Sequence, residues 1–218
     1  MASGPFMISL EGIEGCGKTT QIRLLSRFLQ HAGRPHVVTR EPGGTPLGEA
    51  VRRLLLDPEN GHLPPLVDLL LYNAARAQHL QAIIEPALAA GKDVLIDRYK
   101  DATLAYQGYG SGLSPALIQK VHGLEGLKRE PDLTLLLDLP VELGLLRARS
   151  RNMKNRPAEG RYENMDLDFH RRVQAGYRKL AAAQPDRIVT VDGSGPREEV
   201  QARLQAVLTR RLALQNGR

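Results

Sequence analysis

The stretch Gly12-Ile13-Glu14-Gly15-Cys16-Gly17-Lys18-Thr19-Thr20 decides how this chain folds. It carries the pattern G-x-x-x-x-G-K-[ST]. An apolar run, Phe6 to Leu10, precedes it, and an amphipathic stretch, Gln21 to Leu29, follows. Strand, glycine-rich turn and helix in that order form a phosphate cradle, the P-loop. Glycine permits φ > 0 and lets an anion approach the backbone. Successive N–H groups then face the anionic oxygens. The N-terminus of the following helix adds its dipole to the same place. On this reading residues Gly12, Ile13, Glu14, Gly15, Cys16, Gly17, Lys18, Thr19 and Thr20 wrap a phosphate chain. Lys18 reaches the β- and γ-phosphates, and the Thr19 hydroxyl ligates Mg²⁺.

Outward from the loop, strand and helix signals alternate. Ile8–Leu10 reads as a strand and Lys18–Gln30 as a helix. His36–Thr39 is a short strand and Leu47–Leu56 a helix. Leu66–Ala90 is a long helical region bent before Pro86, which cannot donate a backbone hydrogen bond. Asp93–Asp97, Leu133–Leu137 and Arg187–Val191 are buried strands, with helices from Val141 and over Arg197–Leu212. Such alternation predicts an α/β fold, a parallel sheet of about five strands covered by helices on both faces. No repeat, linker or low-complexity tract divides the chain, so residues 1–218 read as a single domain. Ligands of such sheets sit at the carboxyl ends of the strands. Two clusters fall there, Arg40-Glu41-Pro42-Gly43-Gly44-Thr45 and Asp97-Arg98-Tyr99. Asp97 is placed to bind Mg²⁺ directly or through water, and Arg98 to neutralise phosphate oxygens beside it.

The 218 residues suffice for one sizeable core, and a charged fraction of 25% is ordinary. The single cysteine rules out an internal disulfide. No apolar stretch approaches the ~18 residues of a membrane span, and no signal-peptide pattern opens the chain. Cytoplasmic localisation, without a membrane partner, is the expectation. The net charge of +6 is concentrated. Residues 147–161 hold Arg147, Arg149, Arg151, Lys154, Arg156 and Arg161 against the one acid Glu159, a local +5. Such a cluster suits the phosphates of a small ligand, and nucleic acid is not expected as a partner. With Pro157 and Gly160 it is also the candidate for a lid, at about 150–162, mobile alone and ordered by ligands. The six histidines are scattered without metal-ligand spacing.

These motifs together resemble bacterial thymidylate kinase, of the P-loop nucleoside monophosphate kinases. The resemblance is carried by the P-loop, Arg-Glu-Pro-Gly-Gly-Thr, Asp-Arg-Tyr and Ala105-Tyr106-Gln107-Gly108, in that order. Leu71-Tyr72-Asn73-Ala74-Ala75-Arg76 and Arg161-Tyr162-Glu163 extend it, so that it runs from about Met7 to the last strand. It implies a P-loop kinase fold and phosphorylation of dTMP to dTDP with ATP and Mg²⁺, in a homodimer. It implies that Tyr72, usually Phe in the family, stacks on thymine and that Arg76 contacts the base edge. Arg40 and Arg98 hold the acceptor phosphate, Glu14 meets the deoxyribose or the metal shell, and Tyr106 crowds a ribose 2′-OH. Thr103, Gln107 and Glu163 complete the acceptor site. Some relatives carry an Arg inside the P-loop where this chain has Gly15. The cation for the transferring group is therefore sought in the lid, among Arg149, Arg151, Arg156 and Arg161, beside Lys18 and Arg98 as catalytic residues. Two positions depart from the family pattern. Ala102 stands where a hydroxyl residue is common, and Gly160 where Asp is common. A kinase of another nucleoside monophosphate or of a deoxynucleoside is the alternative within the class. A nucleotide-hydrolysing switch is the alternative outside it, and a GTP-reading Asn-Lys-x-Asp run is absent.

Overall fold

Five short apolar runs become five parallel strands: β1 (Met7–Glu11), β2 (His36–Arg40), β3 (Asp93–Asp97), β4 (Leu133–Asp138) and β5 (Ile188–Asp192). The computed structural model describes residues 4–60, 63–155 and 160–216, with the backbone alone at 151–155 and 214–216. The sheet order is β2-β3-β1-β4-β5, and every neighbouring pair is parallel. Parallel neighbours need crossovers, and helices supply them. They are α1 (Lys18–His31), α2 (Pro46–Leu56), α3 (Pro65–His79), α4 (Glu85–Ala89), α5 (Lys100–Thr103), α6 (Pro115–His122), α7 (Val141–Asn155), α8 (Leu167–Ala183) and α9 (Arg197–Asn216).

Both faces of the sheet are covered. On β3, Leu95 joins one apolar cluster with Ile8, Leu10 and Leu25. Its neighbours Val94 and Ile96 join another with Leu80 and Ile84. That alternation is the period of two of a pleated strand. Each fully buried Leu or Ile contributes roughly 1.5–3 kcal/mol over exposure. One polar thread crosses the interior. Ser9 and Thr134, paired in register, share a hydroxyl–hydroxyl bond of 2.7 Å. Thr134 also donates to Asp101 Oδ2 at 3.0 Å, and Arg187 grips both Asp101 oxygens at 2.7 Å. This thread pins α5, and with it the segment that carries Thr103, Tyr106 and Gln107.

The expected helix over Leu66–Ala90 is present but interrupted. Leu80–Ile84 forms a π-turn in which Glu85 N–H reaches back to Leu80 O. Pro86 follows at once and has no N–H to offer, which places the bend where a proline demands it. A second π-turn, Leu104–Gly110, continues α5. The sequence reading leaves out α5, α6 and α8. For α8 a signal exists, since Phe169, Val173, Tyr177 and Leu180 are all buried at helical spacing. Asp166 caps it by accepting from Phe169 N–H at 2.6 Å.

Candidate active site

The carboxyl ends of β1, β2 and β3 meet at one rim. Leu10 and Arg40 both pair with Asp97 in the sheet register. The P-loop fills the gap between β1 and α1, with φ of 140° at Gly12, 68° at Gly15 and 98° at Gly17. Two of these positions are also too tight for any side chain. A Cβ on Gly12 would sit 2.4 Å from Leu137 O, and one on Gly15 only 1.9 Å from Gly144 O in α7. Lys18 arches back over the loop. Its Nζ donates to Gly12 O and Ile13 O, both at 2.9 Å, and to Cys16 Sγ at 3.3 Å. Thr19 Oγ1 donates to Asp97 Oδ2 at 3.2 Å. Two adjacent hard oxygen donors beside a phosphate cradle fit Mg²⁺, which takes few protein ligands and completes its shell with water and phosphate. Among the described residues no group of three or more His, Cys, Asp or Glu side chains gathers as a metal cage.

Arg98 occupies the centre. It is the one non-glycine with φ > 0 among the described residues, at 65°. That conformation costs about 1–2 kcal/mol, and it turns the guanidinium across the P-loop mouth. NH1 donates to Gly12 O at 2.9 Å and to Tyr177 OH at 3.3 Å. NH2 donates to Tyr106 OH at 3.1 Å and Glu14 Oε1 at 3.3 Å. Burial alone would favour a neutral Arg98, but the surrounding tyrosines, Glu14 and Glu11 hold its pKa well above the ordinary value. Tyr106 donates to Glu14 Oε1 at 2.6 Å, and burial keeps its phenol protonated. Burial pushes the Glu14 carboxyl up. His170, Arg98, Lys18 and Tyr106 outweigh that and bring it down to about 2. The His170 contact is 3.3 Å from Nδ1 to Glu14 Oε2, close enough for attraction but outside hydrogen-bond geometry. Glu11 lies beneath, accepting from Tyr99 N–H at 2.7 Å and Tyr177 OH at 2.8 Å. Burial, and then the nearby Asp101, raise it to about 7 against the pull of Arg98 and these donors.

A cavity of about 250 Å³ opens from this rim toward α3 and the second π-turn. Arg76 forms its far wall, buried and pointing along a ring of acceptors. Glu41, Asn73, His122 and Thr103 take four of its five N–H groups. Beside it Gln107 Nε2 donates to Tyr162 OH at 2.8 Å, and Tyr162 OH donates to Asp68 Oδ2 at 3.1 Å. The Tyr72 phenol lies against Tyr162 and is pushed up by burial. The cavity thus has a phosphate end and an aromatic, hydrogen-bonding end.

A family model described as thymidylate kinase matches residues 10–204. The thymidylate kinase of Syntrophotalea carbinolica is 51% identical over 213 residues, 97% of this chain and 99% of the relative. That of Geotalea uraniireducens is 52% identical over 209 residues, 94% and 97% of the two chains. The chain belongs to the thymidylate kinase family. The crystal structure of thymidylate kinase from Ehrlichia chaffeensis superposes with a TM-score of 0.75 at 34% identity, over 94% of this chain and 99% of that one.

Against this family's site, the nine expected acceptor residues all line the one cavity. Glu14, Arg40, Tyr72, Arg76, Arg98, Thr103, Tyr106, Gln107 and Glu163 are there, with Lys18, Thr19 and Asp97. Arg40 lies at the surface in a two-pronged pair with Glu49, at 2.9 and 3.1 Å. Arg161 also lines the cavity, yet its NH2 is paired with Asp68 on α3. Its backbone N–H and that of Gly160 donate to Leu56 O. Arg149 is exposed on α7 and does not reach the cavity. The Arg151 side chain and Arg156 lie outside the described residues, as do the other side chains of 152–155 and all of 157–159. α7 carries helical backbone as far as Asn155. Glu41, Arg52, Tyr99 and Tyr162 line the cavity without having been singled out. Glu41 and Tyr99 stand inside the two strand-end motifs, directly after Arg40 and Arg98. Tyr162 follows Arg161 directly. Arg52 carried no signal beyond being a helix cation.

Proposed function

We propose that dTMP fills this cavity with its base between Tyr72, Arg76, Thr103 and Gln107 and its phosphate between Arg40 and Arg98, facing the γ-phosphate of ATP on the P-loop. As a thymidylate kinase the chain is a phosphotransferase acting on a nucleoside monophosphate, and it converts dTMP to dTDP. The single observation that carries the placement is the continuity of the cavity. One space connects Lys18 and Thr19 with Tyr72 and Arg76.

The chemistry follows from charge. Phosphoryl transfer needs in-line positioning and neutralisation more than covalent help. Lys18 lies over the loop where the β- and γ-phosphates bind, and exchanges its carbonyl contacts for phosphate oxygens. Arg98, permanently cationic and rigidly held, stands between donor and acceptor. Thr19 and Asp97 would hold Mg²⁺, which would supply charge neutralisation for the phosphate chain. Glu14 stays ionised and accepts from a sugar hydroxyl or the metal's water shell. The Tyr106 ring lies against Tyr162 and Phe169, held upright by edge contacts at 5.2 and 6.1 Å. An added 2′-OH meets that fixed ring without a partner, which disfavours ribonucleotides. A lid arginine acts on the transferring group; Arg161 serves by exchanging Asp68 for phosphate, or Arg149, Arg151 or Arg156 by lid closure.

A homodimer is part of the proposal. α3 leaves Leu66, Val67 and Leu70 exposed, and it packs beside α2 and α6, which expose Leu47, Leu54 and Leu117. Cytoplasmic action without nucleic-acid partners also belongs to it, supported by the confined basic charge; no helix of the described residues is long and apolar enough to cross a membrane. The test is a coupled ADP-formation assay with ATP and Mg²⁺ over a panel of nucleoside monophosphates and deoxynucleosides. dTMP is expected to give the highest kcat/KM. A higher value for any other acceptor overturns the placement of the base site.

A further inference from the structure

We propose that Glu41, fixed in place by His79, is the positioning residue for Arg76, and that this clamp sets base discrimination at the acceptor site. The inference rests on the reading of Arg76 as a base contact. Glu41 closes the rim of β2, its backbone N–H bonded to Asp97 O at 3.0 Å. Its two carboxylate oxygens are divided. Oε2 takes Arg76 Nε at 2.7 Å, and Oε1 takes His79 Nδ1 at 3.1 Å. A carboxylate oxygen only accepts, so His79 carries its proton on Nδ1, and Nε2 is left to accept from the Thr39 hydroxyl at 2.7 Å. Arg76 and His79 sit one turn apart on α3, so one carboxylate bridges them. All three side chains are buried, His79 completely. The glycine pair after Pro42 is shaped to this contact. A Cβ on Gly44 would lie 2.7 Å from both His79 Nε2 and Thr39 Oγ1.

The opposite side of Arg76 is held as firmly. His122 Nε2 and Asn73 Oδ1 each lie 3.2 Å from NH1. Burial, Arg76 and Lys100 bring His122 down to about 2, so its ring is neutral and its Nε2 accepts. Tyr99 lies under the guanidinium at 5.1 Å. The one N–H left over is on NH2, beside Thr103, whose Oγ1 accepts from that same nitrogen at 3.0 Å. The Thr103 proton is therefore also free to donate. Arg76 offers a donor alone to an incoming base edge, and the Thr103 hydroxyl can turn its proton toward the same edge. A 4-keto pyrimidine presents an acceptor there. A 4-amino pyrimidine presents N–H groups there, and the Arg76 guanidinium, which cannot accept, is left facing them without a partner. Loosening Glu41 or His79 lets the guanidinium turn, and the preference fades.

Kinetics with dTMP and dCMP at saturating ATP test this on Arg76→Ala, Glu41→Gln, His79→Ala, His79→Asn and Thr39→Val, each checked for folding by thermal melt. His79→Ala and Glu41→Gln are expected to raise KM for dTMP about tenfold, the loss of one hydrogen bond to a charged group. KM for ATP should stay within about twofold, and the dTMP-to-dCMP ratio of kcat/KM should fall. His79→Asn, which restores a donor at the Nδ1 position, should recover most of both. Thr39→Val, at a half-buried position, should show a smaller loss in the same direction and keeps the test open should the buried variants not fold. An unchanged dTMP-to-dCMP ratio in every folded clamp variant, with Arg76→Ala impaired, overturns the clamp. Equal rises in KM for dTMP and ATP overturn it too, by marking a general packing role. An unimpaired Arg76→Ala overturns instead the reading of Arg76 as a base contact.

Discussion

Two glutamates three residues apart, Glu11 and Glu14, share Arg98 and are driven in opposite directions. Glu14 faces the cavity and is surrounded by cations and donors. Glu11 lies under the loop, where burial and Asp101 dominate. Their effects on stability have opposite pH windows. In the unfolded chain both ionise near 4.5, whereas folded Glu14 ionises near 2 and folded Glu11 near 7. Below 4.5 the unfolded chain binds the Glu14 proton more readily, so Glu14 costs stability as pH falls toward 2. Between 4.5 and 7 the folded chain holds the Glu11 proton that the unfolded chain has lost, so Glu11 costs stability as pH rises. Glu11→Gln mimics the protonated carboxyl. It is expected to unfold later than the parent at pH 8, by on the order of 3 kcal/mol, and to match it near pH 4. Urea melts at the two pH values check this, and a gap that does not widen with pH contradicts the assigned burial of a charge at Glu11. Residue types and motif order made Lys18, Asp97, Arg98 and Tyr106 legible from the chain alone. The split between the two glutamates was not, because it depends on neighbours from the turn after β3, from α5 and its π-turn, and from α8.

Helices reach the site through glycines that let backbones touch. α7 leans on the P-loop at Gly144, where a Cβ would lie 2.6 Å from Glu14 O and 3.1 Å from Ile13 Cδ1. α8 leans on the second π-turn at Gly176, where a Cβ would lie 2.6 Å from Tyr109 Cδ2. Alanine gains about 1 kcal/mol of helix propensity over glycine at an ordinary interior site. At Gly144 the clash is with a backbone carbonyl, which cannot swing aside, so the strain wins. Gly144→Ala is expected to raise KM for ATP about tenfold while KM for dTMP changes less than threefold. Gly176→Ala should show the reverse bias, because α8 supports the turn that carries Tyr106 and Gln107. Separate titrations of ATP and dTMP decide it, and a common effect on both ligands contradicts the division of labour between the two helices. The strands of this scaffold were readable as apolar runs. α5 and its π-turn were not, because Gly108 and Gly110 weaken the helical pattern and tertiary contacts, packing against α8 foremost, hold the segment wound.

At the scale of the whole molecule, α3 sets three exposed apolar side chains close together on one helix. Leu66, Val67 and Leu70 are 49, 40 and 54% exposed. Leu70→Arg is expected to convert the proposed homodimer to a monomer in sedimentation, and an unshifted mass would place the contact elsewhere. What the sequence by itself determined was local. Glycine at Gly12, Gly15 and Gly17 allowed the loop, apolar runs of strand length set the sheet, and alternation with helices made it parallel, so the active rim had one place to form. The cavity's residues could then be carried over motif by motif. What only the tertiary structure decided was pairing at distance. Glu41 meets Arg76 from 35 residues away, and Arg161 meets Asp68 from 93. A carboxylate's type says that it needs a partner when buried, since an unpaired buried charge is costly. It does not say which of thirty lysines and arginines will come. That choice belongs to the crossing of β2, α3 and the segment after α7, and it follows from how those elements pack.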